Sequence, residues 1–432
     1  MLIIRKVCTG LEQGALFALR YAFSMNSEPS GKAALVLANG LVFEGVGFGA
    51  QSCAIGEAVF ATGMTGCIET LTDPSYYGQI IAQTFPLVGN YGIIPSDYES
   101  SKIHAKAYIV RDPCDQPSNF RCQKTLDQFL KENGVPGLCG IDTRALTKVL
   151  REAGVMNAML VSGDSPEAQE AFAALKDDKK KAALLEKIKA YKIQNAVQSV
   201  SLDADKIEKS ADQVFSESAQ YRAVPVRSDG TKVNSQEEAM KVGRGKKVVL
   251  WDFGAKANIR RELLKRGLEV KTVKSGASAA EILALNPDGI MLSNGPGDPA
   301  ENVGIIEELK KILDKKIPLF GICLGHQILA LAKGAKTSKL KYGHRGANQP
   351  VKRLSTGRVY ISSQNHGYAV EAQSLPACAK ETFVNTNDQT NEGVSYTDCP
   401  AFSVQFHPEA ASGPLDTSFL FDEFVDLING KR

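Results

Sequence analysis

Cys323 stands in the run Gly321-Ile-Cys323-Leu-Gly325-His-Gln327, where an apolar strand ends in glycine and gives up a cysteine. The chain then enters the helical stretch Gln327-Ile-Leu-Ala-Leu-Ala through a second glycine. This is the form of a nucleophile elbow, with cysteine where another family of hydrolases places serine. Glycines are needed on both sides because the turn is strained and the backbone crowded. A free thiol, with a pKa of about 8.5, is only a few per cent ionised at neutral pH, whereas a helix N-terminus and an imidazole both favour the thiolate. The alternative for Cys323 is a small buried hydrophobe, a common role for cysteine.

A thiol nucleophile requires a base, and the five histidines are His104, His326, His344, His366 and His407. In His407-Pro408-Glu409 the proline pushes His407 toward the extended region, and residues two apart in an extended segment point to the same side. Glu409 can then reach the imidazole and fix its tautomer, as the third member of a triad does. The segment Ala401-Phe-Ser-Val-Gln-Phe reads as the strand that delivers the pair, and His326 reads as a helix residue near the site rather than the base. A third element, Asn294-Gly295-Pro-Gly297-Asp298-Pro299, follows an apolar strand. Its glycines expose backbone N–H groups, the material of an oxyanion hole, with the N–H groups of Gly297 and Leu324 as candidates and a plain turn as the alternative.

Elements must bring these three segments together. From residue 246 onward strands alternate with helices: strands at 248–253, 268–273, 288–293 and 317–322, helices at 256–266 and 303–315. That rhythm predicts an α/β domain with a mainly parallel central sheet and ligands at the carboxyl ends of its strands. The beginning of the chain is expected to be β-rich, since Ala33-Ala-Leu-Val-Leu, Asn39-Gly40 and Leu41-Val-Phe read as strand, tight turn and strand. Helical spacing occurs at 125–131, 143–153 and 178–191, the last a lysine-rich helix with Leu184, Leu185 and Ile188 on one side. Periodicity fades over 201–245, which predicts a linker between a domain at 33–200 and one at 246–432, with a poorly ordered leader over 1–32. Gly243-Arg-Gly245-Lys246 fails the spacing of a phosphate loop, and Gly45-Val-Gly47-Phe-Gly49 lacks the last glycine of a dinucleotide fingerprint and is read as a turn.

Composition narrows the function classes. The 432 residues carry a net charge of +3, which gives nucleic-acid binding no support, and no apolar run approaches the roughly 18 residues needed to span a bilayer. Nine scattered cysteines without a CxxC pair indicate neither a disulfide framework nor a zinc site, so no metal is expected and a reducing cytoplasm fits best. Arg5, Lys6 and Arg20 flank an apolar stretch, but Arg20 interrupts it and Glu12 is unusual in a transit peptide.

In order, Asn-Gly-Pro-Gly-Asp-Pro, Gly-Ile-Cys-Leu-Gly-His-Gln and His-Pro-Glu resemble the triad-type class I glutamine amidotransferase family over roughly 246–430. The first half adds Thr62-Gly-Met-Thr-Gly-Cys67-Ile-Glu-Thr-Leu-Thr-Asp-Pro-Ser-Tyr, Gly89-Asn-Tyr-Gly92 and Gly140-Ile-Asp-Thr-Arg144, which resemble the N-terminal domain peculiar to carbamoyl-phosphate synthase small chains. Cys67 departs from the tyrosine often found there, and a change in packing is the simplest account. The resemblance implies that the chain binds L-glutamine and that Cys323 attacks its carboxamide. His407, held by Glu409, would protonate the departing ammonia and then activate water on a γ-glutamyl thioester. By similarity, glutamine is held by Ser75, Gly295, Gly297, Leu324, Gln327, Asn365, Gly367 and Tyr368, with Ser75 reaching in from the other domain. Asn365-His-Gly367-Tyr368 reads as a turn offering small polar and backbone partners, with tyrosine where the family can have phenylalanine.

The resemblance also implies an internal passage for ammonia to a larger synthase subunit. That partner would use ATP, Mg and bicarbonate to make carbamoyl phosphate for arginine and pyrimidine synthesis, this chain carrying no cofactor of its own. A related thiol hydrolase, or the glutaminase of a different synthase, fits the second half alone, and the 33–200 domain argues against both. A purely regulatory or scaffolding role would leave an intact triad idle.

Overall fold

Gly40 adopts φ +88 and donates its N–H to Leu37 O at 2.9 Å, closing the Asn-Gly turn that the sequence marks. In the computed structural model, which describes residues 31–201 and 235–431, this turn joins the first two strands of a unit that ends at Ile193. The expected leader, apart from its last two positions, and most of the expected linker lie outside the described residues.

The strands of this first unit are β1 (Lys32–Leu37), β2 (Val42–Gly49), β3 (Cys53–Ala61), β4 (Gln79–Gln83), β5 (Leu87–Val88), β6 (Ala107–Ile109), β7 (Asp112–Pro113), β8 (Pro136–Cys139) and β9 (Met156–Ser162). Seven of them close a barrel in the order β1-β2-β8-β6-β4-β3-β9. Period-2 alternation sorts their side chains: on β1, Ala33, Leu35 and Leu37 join one buried cluster, while Val36 joins another with Met159, Val161 and Ile188. The helices expected at 125–131, 143–153 and 178–191 are present as Leu126–Glu132, Thr143–Ala153 and Asp178–Lys189. Gly45-Val-Gly47-Phe-Gly49 is not a turn but the second half of β2. A Cβ on Gly45 would lie 2.3 Å from Cys139 O and one on Gly49 2.6 Å from Val135 O, so these glycines let the barrel close tightly.

The second unit begins at Gln194. Its strands are β10 (Lys247–Asp252), β11 (Glu269–Lys274), β12 (Gly289–Leu292), β13 (Leu319–Ile322), β14 (Thr337–Arg353), β15 (Val359–Val370), β16 (Ala379–Asn385), β17 (Asn391–Tyr396) and β18 (Ala401–Val404). They form one sheet in the order β11-β10-β12-β13-β18-β17-β16-β14-β15. The first five run parallel, as the strand-helix rhythm predicts, and the other four continue the sheet antiparallel. That antiparallel extension went unread in the sequence, as did the helix Ala279–Ala284.

Two boundaries also differ from the sequence reading. The helix Ala196–Val200, which the sequence reading placed in the first domain, packs Val197 into the core of the second unit. Residues Gln236–Gly243, read as linker, form a helix that buries Ala239 and ends in a left-handed cap at Arg244. That cap is what Gly243-Arg-Gly245-Lys246 does instead of binding phosphate. Among the described residues, no helix is long and apolar enough to cross a membrane.

A buried ion network joins the segment after the helix Ala257–Leu264 to the C-terminal helix Phe419–Ile428. Arg266 Nε lies 2.7 Å from Asp422 Oδ1, and its Nη1 lies 2.7 Å from Glu262 Oε2. Burial pushes the Glu262 carboxyl up, but Lys265 and Arg266 outweigh it and hold it at about 2. Removing the shared cation strands buried carboxylate charge. Arg266→Ala is therefore expected to cost about 3–5 kcal/mol in urea unfolding at neutral pH. The loss should be smaller in a triple variant that also carries Glu262→Gln and Asp422→Asn.

Candidate active site

Four loops at the carboxyl ends of parallel strands build the site. Cys323 follows β13, the segment Gln405–Glu409 follows β18, Asn294–Gly297 follows β12, and Lys256 follows β10. Cys323 has φ +53 and ψ −104, a conformation that L-residues rarely adopt, and it leads directly into the helix Leu324–Ala332. The flanking glycines are required by contact. A Cβ on Gly321 would lie 2.9 Å from Gly325 C, and one on Gly325 would lie 2.5 Å from Leu292 O. The thiol is 3% exposed, and Sγ approaches Asn365 O at 3.7 Å.

His407 and Glu409 meet as the sequence reading requires: Nδ1 lies 2.7 Å from Glu409 Oε1, and both side chains are fully buried. The segment is not extended throughout, because Ala410 N–H donates to His407 O at 3.3 Å and closes a turn over Pro408-Glu409. With Nδ1 bound to the carboxylate, Nε2 is the nitrogen left to exchange a proton, and it has no well-formed hydrogen bond among the described residues. Burial and the Lys256 cation push the imidazolium down, but Glu409 and Cys323 outweigh them and raise it to about 9. Glu409 is pushed up by burial and pulled further down by His407 and Lys256, whose Nζ lies 3.5 Å from Oε1. Asn258 Nδ2 donates to the Glu409 backbone carbonyl.

The other histidines separate on physical grounds. Burial drives His326 down to about 3, and its Nδ1 lies 2.8 Å from Ser403 Oγ, which fits a helix residue that is not the base. His104, in the first unit, is driven down to about 4 by burial. His366 is held well below its usual value by burial and by His344. His344 is raised to about 9 because Asp388 and Glu392, at 2.8 and 3.6 Å, outweigh its burial. The ligating atoms of His344, His366 and Glu392 lie within 4.8 Å of one another, a spacing that could suit a metal, but His344 itself already supplies a cation between the two carboxylates.

Asn365, Gly367 and Tyr368 lie within β15 rather than in a turn, and β15 pairs with β14 across a register that shifts between Lys339 and His344, where Gly343 takes φ +68. In sheet order β15 is four strands from β18, yet His407 N–H donates to Ser363 O at 2.9 Å. The antiparallel extension therefore curls over Cys323 and His407. Gln327 Nε2 reaches Tyr368 O at 2.7 Å, and a Cβ on Gly295 would lie 2.7 Å from Leu324 Cδ2 and 2.4 Å from Phe253 O. Gly297, φ +90, backs onto Ala196, where a Cβ would come within 2.9 Å. Ser75 belongs to the first unit, buried in the turn Pro74–Tyr76 with its N–H bonded to Asp73 Oδ1 at 2.9 Å. Lys256, Asn258 and Gln405 carry no motif and escaped the sequence reading.

A family model described as class-I glutamine amidotransferase matches residues 249–427, and one described as the carbamoyl-phosphate synthase small chain, CPSase domain, matches 35–160. The chain is 46% identical to the carbamoyl phosphate synthase small chain of Listeria monocytogenes over 93% of this chain and 98% of that one. It is 46% identical to the protein of the same name from Fusobacterium nucleatum over 91% and 98%. A solved structure of a glutamine amidotransferase from Thermotoga maritima covers 43% of this chain and 85% of its own, at 19% identity and TM-score 0.32.

The strain at position 323 has a measurable sign. Glycine normally destabilises a structured position by about 0.5–1 kcal/mol relative to alanine. At φ +53 the order should reverse, with Cys323→Gly more stable than Cys323→Ala by about 1 kcal/mol in denaturant unfolding. His344 gives a pH test. Its folded value of about 9 lies above the ordinary 6.5, so its contribution to stability is complete below about 6.5 and is lost as pH rises toward 9. The stability gap between wild type and His344→Gln should be on the order of 2 kcal/mol at pH 6 and shrink steadily to pH 9.5.

Proposed function

The chain belongs to the family of carbamoyl phosphate synthase small chains, and on that premise we propose that it hydrolyses L-glutamine with Cys323 as nucleophile, His407 as general acid and base, and Glu409 as the group that orients His407. The observation that carries this reading is the 2.7 Å bond between His407 Nδ1 and Glu409 beside a cysteine strained to φ +53 at a strand-to-helix turn.

In this mechanism the Cys323 S–H proton has passed to His407 Nε2, whose protonated form Glu409 favours, before the sulfur attacks the carboxamide carbon and the carbonyl π electrons move to oxygen. Backbone N–H groups of Gly297 and Leu324 are the proposed donors to that oxyanion, Leu324 lying in the first helical turn, where N–H groups lack intrahelical partners. The C–N bond then breaks, His407 returns the proton to nitrogen, and ammonia leaves a γ-glutamyl thioester. Water attacks the thioester, His407 takes its proton and passes it to the departing sulfur, and glutamate is released. Glutamine would be seated by Ser75, Gly295, Gly297, Leu324, Gln327, Asn365, Gly367 and Tyr368. Gln327 and Asn365 are supported by their bonds to Tyr368 O and to the sulfur.

Free ammonia is mostly protonated in neutral water and so lost as a nucleophile. We therefore assign the chain a partner, the large synthase subunit, which receives ammonia through an enclosed passage and uses ATP, Mg and bicarbonate to form carbamoyl phosphate for arginine and pyrimidine synthesis. The small-chain family name is what supports that partner.

The test is glutamate release from glutamine by wild type, Cys323→Ser and Glu409→Gln, each mixed with the large subunit. Cys323→Ser should lose activity to background, and undiminished hydrolysis there defeats the nucleophile assignment. Glu409→Gln should retain the fold but lose roughly 10²–10⁴-fold in kcat, the range over which acid–base assistance acts. Failure of the chain to co-purify with the large subunit would favour another acceptor.

A further inference from the structure

Gln405 has no role in the mechanism above, yet its side chain touches the sulfur. It follows β18, is fully buried, and donates its backbone N–H to Glu392 O at 3.0 Å. Its Nε2 lies 3.6 Å from Cys323 Sγ. Which end of the amide faces the sulfur is set by neighbours with no choice of role. Tyr368 O is a backbone carbonyl and can only accept; Gln327 Nε2 donates to it at 2.7 Å and to Gln405 Oε1 at 2.9 Å. Gln405 must therefore turn its oxygen to Gln327 and its NH₂ to the thiol. His366 Nδ1, 2.8 Å from the same Tyr368 carbonyl, holds the start of this chain in place.

The environment of the sulfur gives this donor a job. Asn365 O, at 3.7 Å, can accept the proton of a thiol but repels a thiolate. Once the proton moves to His407, the Gln405 N–H is a neutral donor already aimed at the new charge. Other ionisable groups around the sulfur are His407 with Glu409 and Lys256 behind it, and His366 on β15.

We propose that Gln405 is a further catalytic residue, whose amide N–H stabilises and aims the Cys323 thiolate. Through Gln327, one line of hydrogen bonds couples the glutamine pocket to the orientation of the nucleophile. This inference rests on the reading of Cys323 as nucleophile.

The test follows carbamidomethylation of Cys323 by iodoacetamide in the full chain against pH, read on the Cys323 peptide by mass spectrometry. Alongside it, kcat and KM for glutamate release are measured in the presence of the large subunit. Gln405→Met removes the donor at similar volume. Gln405→Glu keeps an oxygen for Gln327 but turns a second oxygen toward the sulfur. A hydrogen bond to a charged group supports a change of about tenfold, so the alkylation midpoint should rise by about one pH unit in Gln405→Met and further in Gln405→Glu. The value of kcat should fall about tenfold in Gln405→Met, with KM moving less. An unchanged midpoint in both variants, or a loss confined to KM, overturns the proposal. Glutamate release surviving in Cys323→Ser would instead overturn the nucleophile reading, and this one with it.

Discussion

A parallel strand that must turn into a helix within one residue leaves its side chain outside both elements, and the second unit is organised around the place where this happens. At Cys323 the backbone takes φ +53 and ψ −104, held by Cys323 N–H to Val404 O at 2.9 Å and by Gly325 N–H to Ser293 O at 3.0 Å. Those bonds tie the turn to the two loops that flank it, one leading to His407 and the other to Gly295. Strain of roughly 1–3 kcal/mol persists only where the surroundings over-determine it, and here neighbouring parallel strands do so. The same geometry places sulfur at the first turn of a helix and within reach of segments that leave adjacent strands.

Burial of that turn creates an electrostatic problem that the surroundings answer with paired charges. Glu409 is fully buried, and a lone carboxylate there would be protonated; His407 at 2.7 Å and Lys256 at 3.5 Å keep it ionised. An ionised Glu409 in turn holds the His407 ring by Nδ1 and favours its protonated form. Farther along the curled sheet His344 plays the converse part, a buried cation between Asp388 and Glu392. Its edge-on contact with His366, ring centroids 4.9 Å apart, helps to keep His366 neutral. His366 Nδ1 lies 2.8 Å from Tyr368 O, the same carbonyl that accepts from Gln327.

The legible parts of the sequence were those in which local pattern and tertiary role coincide. Apolar runs alternating with helical periods gave the parallel half of the sheet, and the paired glycines around Cys323 gave the elbow. The antiparallel half was illegible because its strands carry mixed faces: β14 reads Thr-Ser-Lys-Leu-Lys-Tyr-Gly-His and buries little before Gly343. Asn365-His-Gly367-Tyr368 looks like a turn by composition, yet pairing with β14 overrides composition. Gly45, Gly47 and Gly49 mislead in the same way, since glycine marks close approach as often as a bend. Gln405 and Lys256 were silent because an amide or an ammonium becomes chemical only through what the fold sets beside it.

The motifs of the first unit work differently from those of the second. Tyr91, from Gly89-Asn-Tyr-Gly92, accepts the N–H groups of Gly66 and Cys67 at 2.9 and 3.0 Å and so caps the helix Cys67–Thr72. Gly92 stands where a Cβ would lie 2.1 Å from Cys122 Sγ. Asp142, from Gly140-Ile-Asp-Thr-Arg144, caps the helix Thr143–Ala153 through Ala145 N–H at 2.9 Å. Cys67 itself is buried, and its thiol is pushed up to about 12 by that burial, the behaviour of a packing residue rather than of a reactive one. These residues build a fold, whereas Cys323, His407 and Glu409 are the groups to which we assign the proposed reaction. Damage to the first set should therefore appear as lost stability of the first unit, and damage to the second as lost turnover in a folded chain, because a helix cap contributes about 1 kcal/mol to folding and nothing to proton transfer.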